Sequence, residues 1–509
     1  MSEIFLYNHN IHKTPEYNIW LGFPGPESFA LSTLGYLWMY KSIDELNDIY
    51  VERIYLDTDK TAISKNNVDL VAFSISFDMD IFNVLNMLKK YNINLLSKER
   101  DENDPLIFAG GPVVTANPEP YKDFFDFFII GDGDNLIFDV IKICKDNKTK
   151  TKKEILQALA GLEGVYVPYY SDSPVKKISS PLPHCVYTPI LSDKSFFPNT
   201  FIIEVERGCA NRCAFCLASY LNLPIRFVPY EEIISTIELG LKYTNKIALL
   251  GAQITAHPRF KDICNYIYNK IQDGEDISLS ISSMRVDAFS PEIVKMLVAA
   301  GQKNTTLAIE AGSERLRKVI NKNLTEDQIY KAIDVAINNG LKGLKFYGMI
   351  GLPSETDKDI EEMINLAKNI KRKYKNFDIS FGFSTFVPKP NTPFQWFGRE
   401  DIKSLEKKIN YLKKELHKLG IKAQFPSPKW DYYQAVFSRG DNKLTDYILE
   451  LSNYQLTLGN LKNLAKGKLD LDYYATQNYD YEKALPWDFI DIKPGKEFLI
   501  NESKKLLSI

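Results

Sequence analysis

Along the first 150 residues, short apolar runs alternate with stretches whose apolar positions recur every three or four residues, the spacing of a helix with one buried face. Residues 69–76 read as a buried strand, 81–91 as a helix, 105–109 as the next strand and 125–130 as another. Such alternation demands a parallel sheet with crossover helices, so the chain is expected to open with a doubly wound α/β domain. Its ligand crevice would lie at the carboxyl ends of the strands. Gly110, Gly111 and Gly131 stand there, where a missing side chain lets backbone approach a ligand closely.

From residue 201 the pattern becomes six strand-then-helix units, with strands near 201–206, 247–250, 277–282, 305–309, 343–350 and 379–386. Ser290 with Pro291, and Thr325 with Gln328, mark helix starts. Gly301, Gly340 and Gly420 mark helix stops. Six units are too few for a closed eightfold barrel and predict an open, partial (βα)6 barrel with its chemistry at the strand carboxyl ends. Between the two α/β parts, Pro174, Pro181, Pro183, Pro189 and Pro198 interrupt any regular element. The expected division is a domain at 1–168, a linker at 169–200, the barrel at 201–424 and an accessory C-terminal helical region at 425–509 that carries no repeat or catalytic signature.

Composition narrows the class without changing this outline. A chain of 509 residues with 45% hydrophobic and 25% charged residues has room for two or three globular domains. A formal net charge of -2 offers no strong pull on nucleic acid or anionic lipid, and the basic run 148–153 reads as a solvated loop. No apolar stretch reaches the ~18 residues that span a bilayer. The start, Met-Ser-Glu-Ile, lacks a basic region and an apolar signal core, so a cytoplasmic protein is expected. Six cysteines in so long a chain do not make a disulfide framework, and three of them fall within eight residues, which points to metal chemistry in a reducing compartment.

Those three, Cys209, Cys213 and Cys216, follow the first barrel strand with gaps of three and two residues. Their thiolates can converge within one loop at the barrel mouth. Iron–sulfur cubanes normally take four thiolates, so a three-thiolate cradle leaves one iron open. Zinc would want a fourth ligand, and no second Cys-x-x-Cys or clustered histidine pair supplies it.

With Glu206, Arg207 and Gly208 leading into the loop and Phe215 before its last cysteine, the sequence resembles the radical S-adenosylmethionine superfamily. The resemblance implies a [4Fe–4S] cluster on the three cysteines whose open iron chelates S-adenosylmethionine, and Phe215 packed near the adenine. It implies a methionine-amino contact from Gly251, Ala252 and Gln253, where the third residue is glutamine rather than the usual acid. Ser283, Arg285 and Glu310 stand where relatives touch ribose or carboxylate, and Gly351 opens a turn like the adenine-binding one; simple loop packing, an ordinary Arg285–Asp287 ion pair and a tight turn braced by Glu355 are the plain alternatives. An external electron donor such as flavodoxin or ferredoxin would be needed.

The stretch from Phe386 to Phe394, the turns Gly110-Gly111-Pro112 and Gly131 to Asp134, and the C-terminal Ser438 to Asp441 and Leu485 to Asp488 resemble one branch, which carries an N-terminal cobalamin-binding-like, Rossmann-type domain. That implies cobalamin between Gly110-Gly111 and the barrel mouth. The histidine motif Asp-x-His-x-x-Gly is absent, so either cobalamin binds without a histidine ligand or the domain has kept the fold and lost the cofactor. His9 and His12 read as a polar N-terminal segment rather than a metal pair. Methylthiotransferases fit less well, because only Cys144 and Cys185 precede the motif. The function expected is a radical enzyme acting on an unidentified substrate, cobalamin-dependent C-methylation being the reaction the branch implies. The alternatives are a non-catalytic iron–sulfur binding or assembly protein, with a structural cluster, and an electron carrier.

Overall fold

The computed structural model describes residues 3–9, 15–172 and 174–509. His12 lies outside them. Five parallel strands, β1 (Tyr17–Phe23), β2 (Ile49–Tyr55), β3 (Leu70–Ser74), β4 (Leu106–Gly110) and β5 (Phe127–Ile129), form the first sheet. β6 (Val165–Tyr166) closes its edge antiparallel to β5. The spatial order is β2-β1-β3-β4-β5-β6, so the winding direction reverses between β1 and β3. In an open α/β sheet that switch point is where a crevice forms at the strand carboxyl ends. β3 and β4 are buried on both faces, which is why they read as unbroken apolar runs.

The second part holds two sheets. β7 (Val186–Tyr187) lies antiparallel on β8 (Phe201–Glu204), which pairs parallel with β9 (Lys246–Leu250), and that with β10 (Ser278–Ile281). After a break at residues 282–283 the succession resumes as β11 (Met284–Arg285), β12 (Asn304–Glu310), β13 (Gly343–Ile350), β14 (Asp378–Thr385) and β15 (Lys422–Gln424), all parallel. This is the open barrel the six units imply, extended by the short β15. The Thr325 capping box forms, with Thr325 Oγ1 accepting from Gln328 N–H, whereas Ser290 makes no cap bond. Gly301, Gly340 and Gly420 adopt φ of +80°, +97° and +67° past their helices.

Three expectations change. Residues 169–200 are more than a spacer: Val175–Lys176 pairs with Ile490–Asp491, Ile190–Leu191 with Ile4–Phe5, and β7 with the barrel. Such two-residue ladders carry no periodicity that a sequence can show. The basic run 148–153 is only partly loop, because Thr151 and Glu154 form a capping box that starts helix Lys152–Ala160. Burial lowers the Lys152 ammonium pKa, so that lysine is not a solvated one.

The C-terminal region is the third change. Helices Pro428–Ser438, Thr445–Leu451 and Leu458–Ala465 cover one face of the first sheet. Phe437, Tyr447, Ile448 and Trp487 join Trp20, Val71, Phe73 and Phe82 in one apolar core. An open sheet needs both faces covered, and here the far end of the chain supplies part of one cover.

Candidate active site

The cysteine loop is a closed excursion from the end of β8. Glu206–Arg207 pairs antiparallel with Arg226–Phe227, so the chain leaves and re-enters at one place. Gly208, at φ +97°, lies so near Asn222 that a Cβ there would sit 2.5 Å from its carbonyl oxygen. Tyr220 Oη and Asn321 Nδ2 both donate to Arg212 O, at 2.8 and 3.0 Å, and Ala214 N–H donates to Ile320 O at 3.0 Å. Lys177, whose ammonium burial brings down to about 8, donates to Leu221 O and Leu223 O at 2.9 and 3.0 Å and pins the exit strand.

All three cysteines are free thiols; Cys209 and Cys213 are buried and Cys216 half-buried. Their sulfurs are near enough that Cys216 acts on Cys213, and Cys209 on Cys216. Burial pushes the Cys213 thiol up to about 12 and also raises Cys216. Without a cation such thiols stay protonated, and a metal that replaces the protons is the partner that makes them thiolates. Among the described residues, no three His, Cys, Asp or Glu side chains, the three cysteines included, are drawn together closely enough to hold a single metal ion, so the loop as it stands is not a closed mononuclear site. Three soft sulfurs with no fourth ligand fit a cluster with one open corner better than zinc.

Around the loop, Glu206 is buried at 1% exposure and accepts the Gln253 N–H on Oε1 at 2.5 Å. Its Oε2 has no partner, and burial carries its pKa to about 7. A Cβ on Gly251 would meet Glu206 Oε1 at 2.6 Å, so the glycine is there to admit the carboxylate. The turn 251–253 therefore spends N–H groups inward. Its Gly251 carbonyl accepts from Ser282 Oγ at 3.2 Å, while the neighbouring Ser283 is exposed at the barrel mouth.

Glu310 ends β12 in the left-handed region, φ +65°, at a register shift in the ladder. It accepts from Lys322 Nζ at 2.9 Å, and Lys322 is itself 5% exposed. Strained backbone over a buried ion pair is a costly arrangement that the surrounding packing must sustain. Arg285 pairs with Asp287 at 2.9 Å, as the plain alternative has it, but also donates to Lys322 O at 2.8 Å. Arg285 and Lys322 both act on Cys213, which puts two cations beside the cysteine loop. Phe215 packs half-buried against the apolar cluster that includes Ala214, Leu316 and Phe386. Gly351, at φ +78°, donates its N–H to Glu355 Oε1 at 2.9 Å, and Lys408 caps that buried carboxylate at 2.9 Å, so Glu355 braces the turn.

Between the first sheet and the barrel mouth lies a cavity of ≈ 430 Å³. Ser74, Gly110, Gly111 and Gly131 to Asp134 line it on one side, and Glu204, Arg207 and Leu250 on the other. Gly111, at φ +108°, is forced by its neighbour, since a Cβ would lie 2.5 Å from Ile75 O. Gly110 is different: its Cβ would make one ordinary contact, 3.8 Å to Ile129 Cβ. The turn 131–134 clamps the two parts together. Arg207 pairs with Asp134 at 2.6 Å and with Glu204 at 2.7 Å, and Arg226 pairs with Asp132.

Lys322, Lys177 and the Arg207 clamp escape the sequence reading, since each partner is distant along the chain and no spacing announces it. His9 Nδ1 lies 2.7 Å from Asp44 and its ring stacks on Phe5, a satisfied polar residue.

Residues 203–367 match the model of the radical SAM superfamily, and residues 35–168 that of radical SAM proteins, N-terminal. The chain belongs to the radical S-adenosylmethionine superfamily and is an enzyme of that class. In particular it is similar to an uncharacterised protein of Methanocaldococcus jannaschii, 31% identical over 440 residues, or 85% of this chain and 90% of that one. An uncharacterised methyltransferase of Pyrococcus horikoshii is 26% identical over 343 residues, 64% of this chain and 70% of its own length. Among solved structures, the radical S-adenosylmethionine methyltransferase TsrM from Kitasatospora setae, with cobalamin and a [4Fe–4S] cluster bound, shares the fold at a TM-score of 0.50 and 12% identity, over 72% of this chain and 74% of that one.

Proposed function

We propose that this chain carries a [4Fe–4S] cluster on Cys209, Cys213 and Cys216, cleaves S-adenosylmethionine reductively, and methylates an unactivated carbon of its substrate with the help of a corrinoid. The observation that carries the reading is the cavity between Gly110 and the barrel mouth, which opens toward the strand end from which the cysteine loop departs. When bound, the cluster would supply the electron for sulfonium cleavage, and the corrinoid a transferable methyl group.

The chain's own residues have positioning tasks. Phe215 offers a ring face for adenine, and Gly351 a close backbone approach beside it. In the turn of Gly251, Ala252 and Gln253, the Ala252 carbonyl would take the methionine ammonium, since the Gly251 and Gln253 carbonyls accept from Ser282 Oγ and the Ala256 N–H, and the Gln253 N–H is turned to Glu206. Ser283, Arg285 and Glu310 would contact the ribose or carboxylate, with Lys322 holding Glu310 in place. Gly110 and Gly111 leave the floor of the cavity to the corrinoid. Among the described residues no histidine lines that cavity, so cobalt would be held there without a histidine ligand.

Among the described residues no helix is long and apolar enough to cross a membrane. An external one-electron donor of the flavodoxin or ferredoxin kind, a cytoplasmic setting, and the division at 168, 200 and 424 belong to the same proposal. The test is anaerobic reconstitution followed by cobalamin addition. Four irons per chain, a reduced-cluster paramagnetic signal, an altered cobalamin visible spectrum and release of 5′-deoxyadenosine or S-adenosylhomocysteine are expected. A chain that binds no iron would sink the reading; one that binds iron without cobalamin would remove its methylation half.

A further inference from the structure

Three groups that the cysteine pattern does not link meet at one sulfur. Asn211 Nδ2 lies 3.6 Å from Cys209 Sγ, Gln253 Oε1 lies 3.5 Å from the same sulfur, and Asn211 Nδ2 donates to Gln253 Oε1. Gln253 comes from the turn after β9, forty-four residues along the chain, and its backbone N–H is tied to the buried Glu206, so its side chain is held at the cysteine loop. Neither amide carries charge at any pH. Each can serve as donor or acceptor, since the two ends of the group are nearly the same size.

In the free loop the Cys209 thiol donates to Gln253 Oε1. A sulfur bound to iron has no proton to give and can only accept. We infer that Asn211 is a donor to Cys209, giving one amide N–H to the cluster thiolate while Gln253 Oε1 accepts the other and holds the amide in place, and thereby raising the reduction potential of the cluster. The inference rests on the cluster reading above and gives Gln253 a role beyond its backbone contact. The reduced cluster carries one more negative charge than the oxidised one, so donors at its sulfur favour the reduced form, and hydrogen bonds to the sulfurs are among the recognised determinants of such potentials. A glutamate at position 253 would accept from Asn211 as well but would set a carboxylate charge against the thiolate. Glutamine is thus the side chain that lets this turn help the cluster accept an electron.

The experiment is a redox titration of reconstituted full-length protein, the reduced cluster being followed by paramagnetic resonance, on wild type, Gln253→Glu and Asn211→Ala. Both variants should keep four irons. In Gln253→Glu the ratio of reduced to oxidised cluster at a fixed poise should fall about tenfold, a 59 mV shift to lower potential for one electron; Asn211→Ala should shift in the same direction. Unchanged or raised midpoints in both variants would overturn the inference. So would loss of iron from both, because tuning bonds, unlike ligands, leave occupancy intact. If one variant loses iron, the midpoint of the other decides. Absence of iron from the wild type would count against the cluster itself, which separates the two failures.

Discussion

Arg207 reaches from the strand that leads into the cysteine loop to Asp134 in the first domain, 2.6 Å away, while its other guanidinium edge holds Glu204. Two motifs that lie 73 residues apart are thereby one device. It sets the distance between the sheet that floors the cavity and the loop that bears the thiols.

Asp134→Asn keeps the shape of that contact and removes its charge. Arg207 retains Glu204, so the loss should be at most about 1.5–3 kcal/mol, the range for a hydrogen bond to a charged group. Urea unfolding checks the size, and hydrogen exchange should show faster opening at 131–134 and 204–208 than elsewhere.

The two glycines at the end of β4 should behave in opposite ways. Gly111→Ala meets Ile75 O at a left-handed φ and should cost about 2–4 kcal/mol in thermal unfolding. Gly110→Ala should leave stability nearly unchanged, because its new methyl group makes one ordinary contact. Cobalamin titration of a bulkier variant, Gly110→Leu, should show weakened binding with the apo-protein still folded.

Glu206 gives a pH signature. Its folded pKa, about 7, lies above the ordinary carboxylate value, so the folded chain binds the proton more tightly than the unfolded chain. Stability from this group is therefore fully present below pH 4.5 and lost as pH rises toward 7. Glu206→Gln, with a carbonyl still able to accept the Gln253 N–H, should be more stable than wild type at pH 8 by on the order of 1–3 kcal/mol, with the gap closing at pH 4.5. Melting curves of apo-protein at the two pH values decide it; a constant gap would refute the assigned cause.

Cys213→Ala should abolish cluster binding and leave the fold intact, since a small buried thiol gives way to a methyl group. Iron analysis beside circular dichroism checks both halves. Full cellular function in that variant would revive the structural-cluster alternative.

Trp487 is 1% exposed and donates to Gln395 Oε1 at 2.6 Å. Trp487→Ala should cost about 3–5 kcal/mol. Because the residue belongs to the core of the first sheet, unfolding of that sheet, followed by hydrogen exchange in β3 and β4, should become easier although the substitution lies more than 370 residues away.

Much of this was legible in the chain. β13 falls on the residues its apolar run marks, and the other barrel strands fall within two residues at either end, because apolar residues recur at their buried positions even where Lys345 and Tyr347 of β13 stay open. The cysteine loop was legible because three ligands share one short segment. What could not be read is what pairs across long separations. Asn391 Nδ2 donates to Ala116 O, Lys389 pairs with Asp78, and Asn117 Nδ2 donates to Gly440 O at 2.9 Å. The stretch Phe386 to Phe394 and the turn Ser438 to Asp441, two motifs that seemed independent, thus meet the first domain at Asp78, Ala116 and Asn117, and only the folded chain shows it. β15, three residues long, is too brief to display a period of two.

The helices at 428–465 and the strand Ile490–Asp491 have a consequence for how the protein is made. A ribosome delivers the first sheet long before the segment that completes its apolar cover. Until residues 428–490 are translated, Trp20 and Phe82 lack Phe437 and Trp487 as partners in their core, and the nascent first sheet must wait, sticky and unfinished, for that segment.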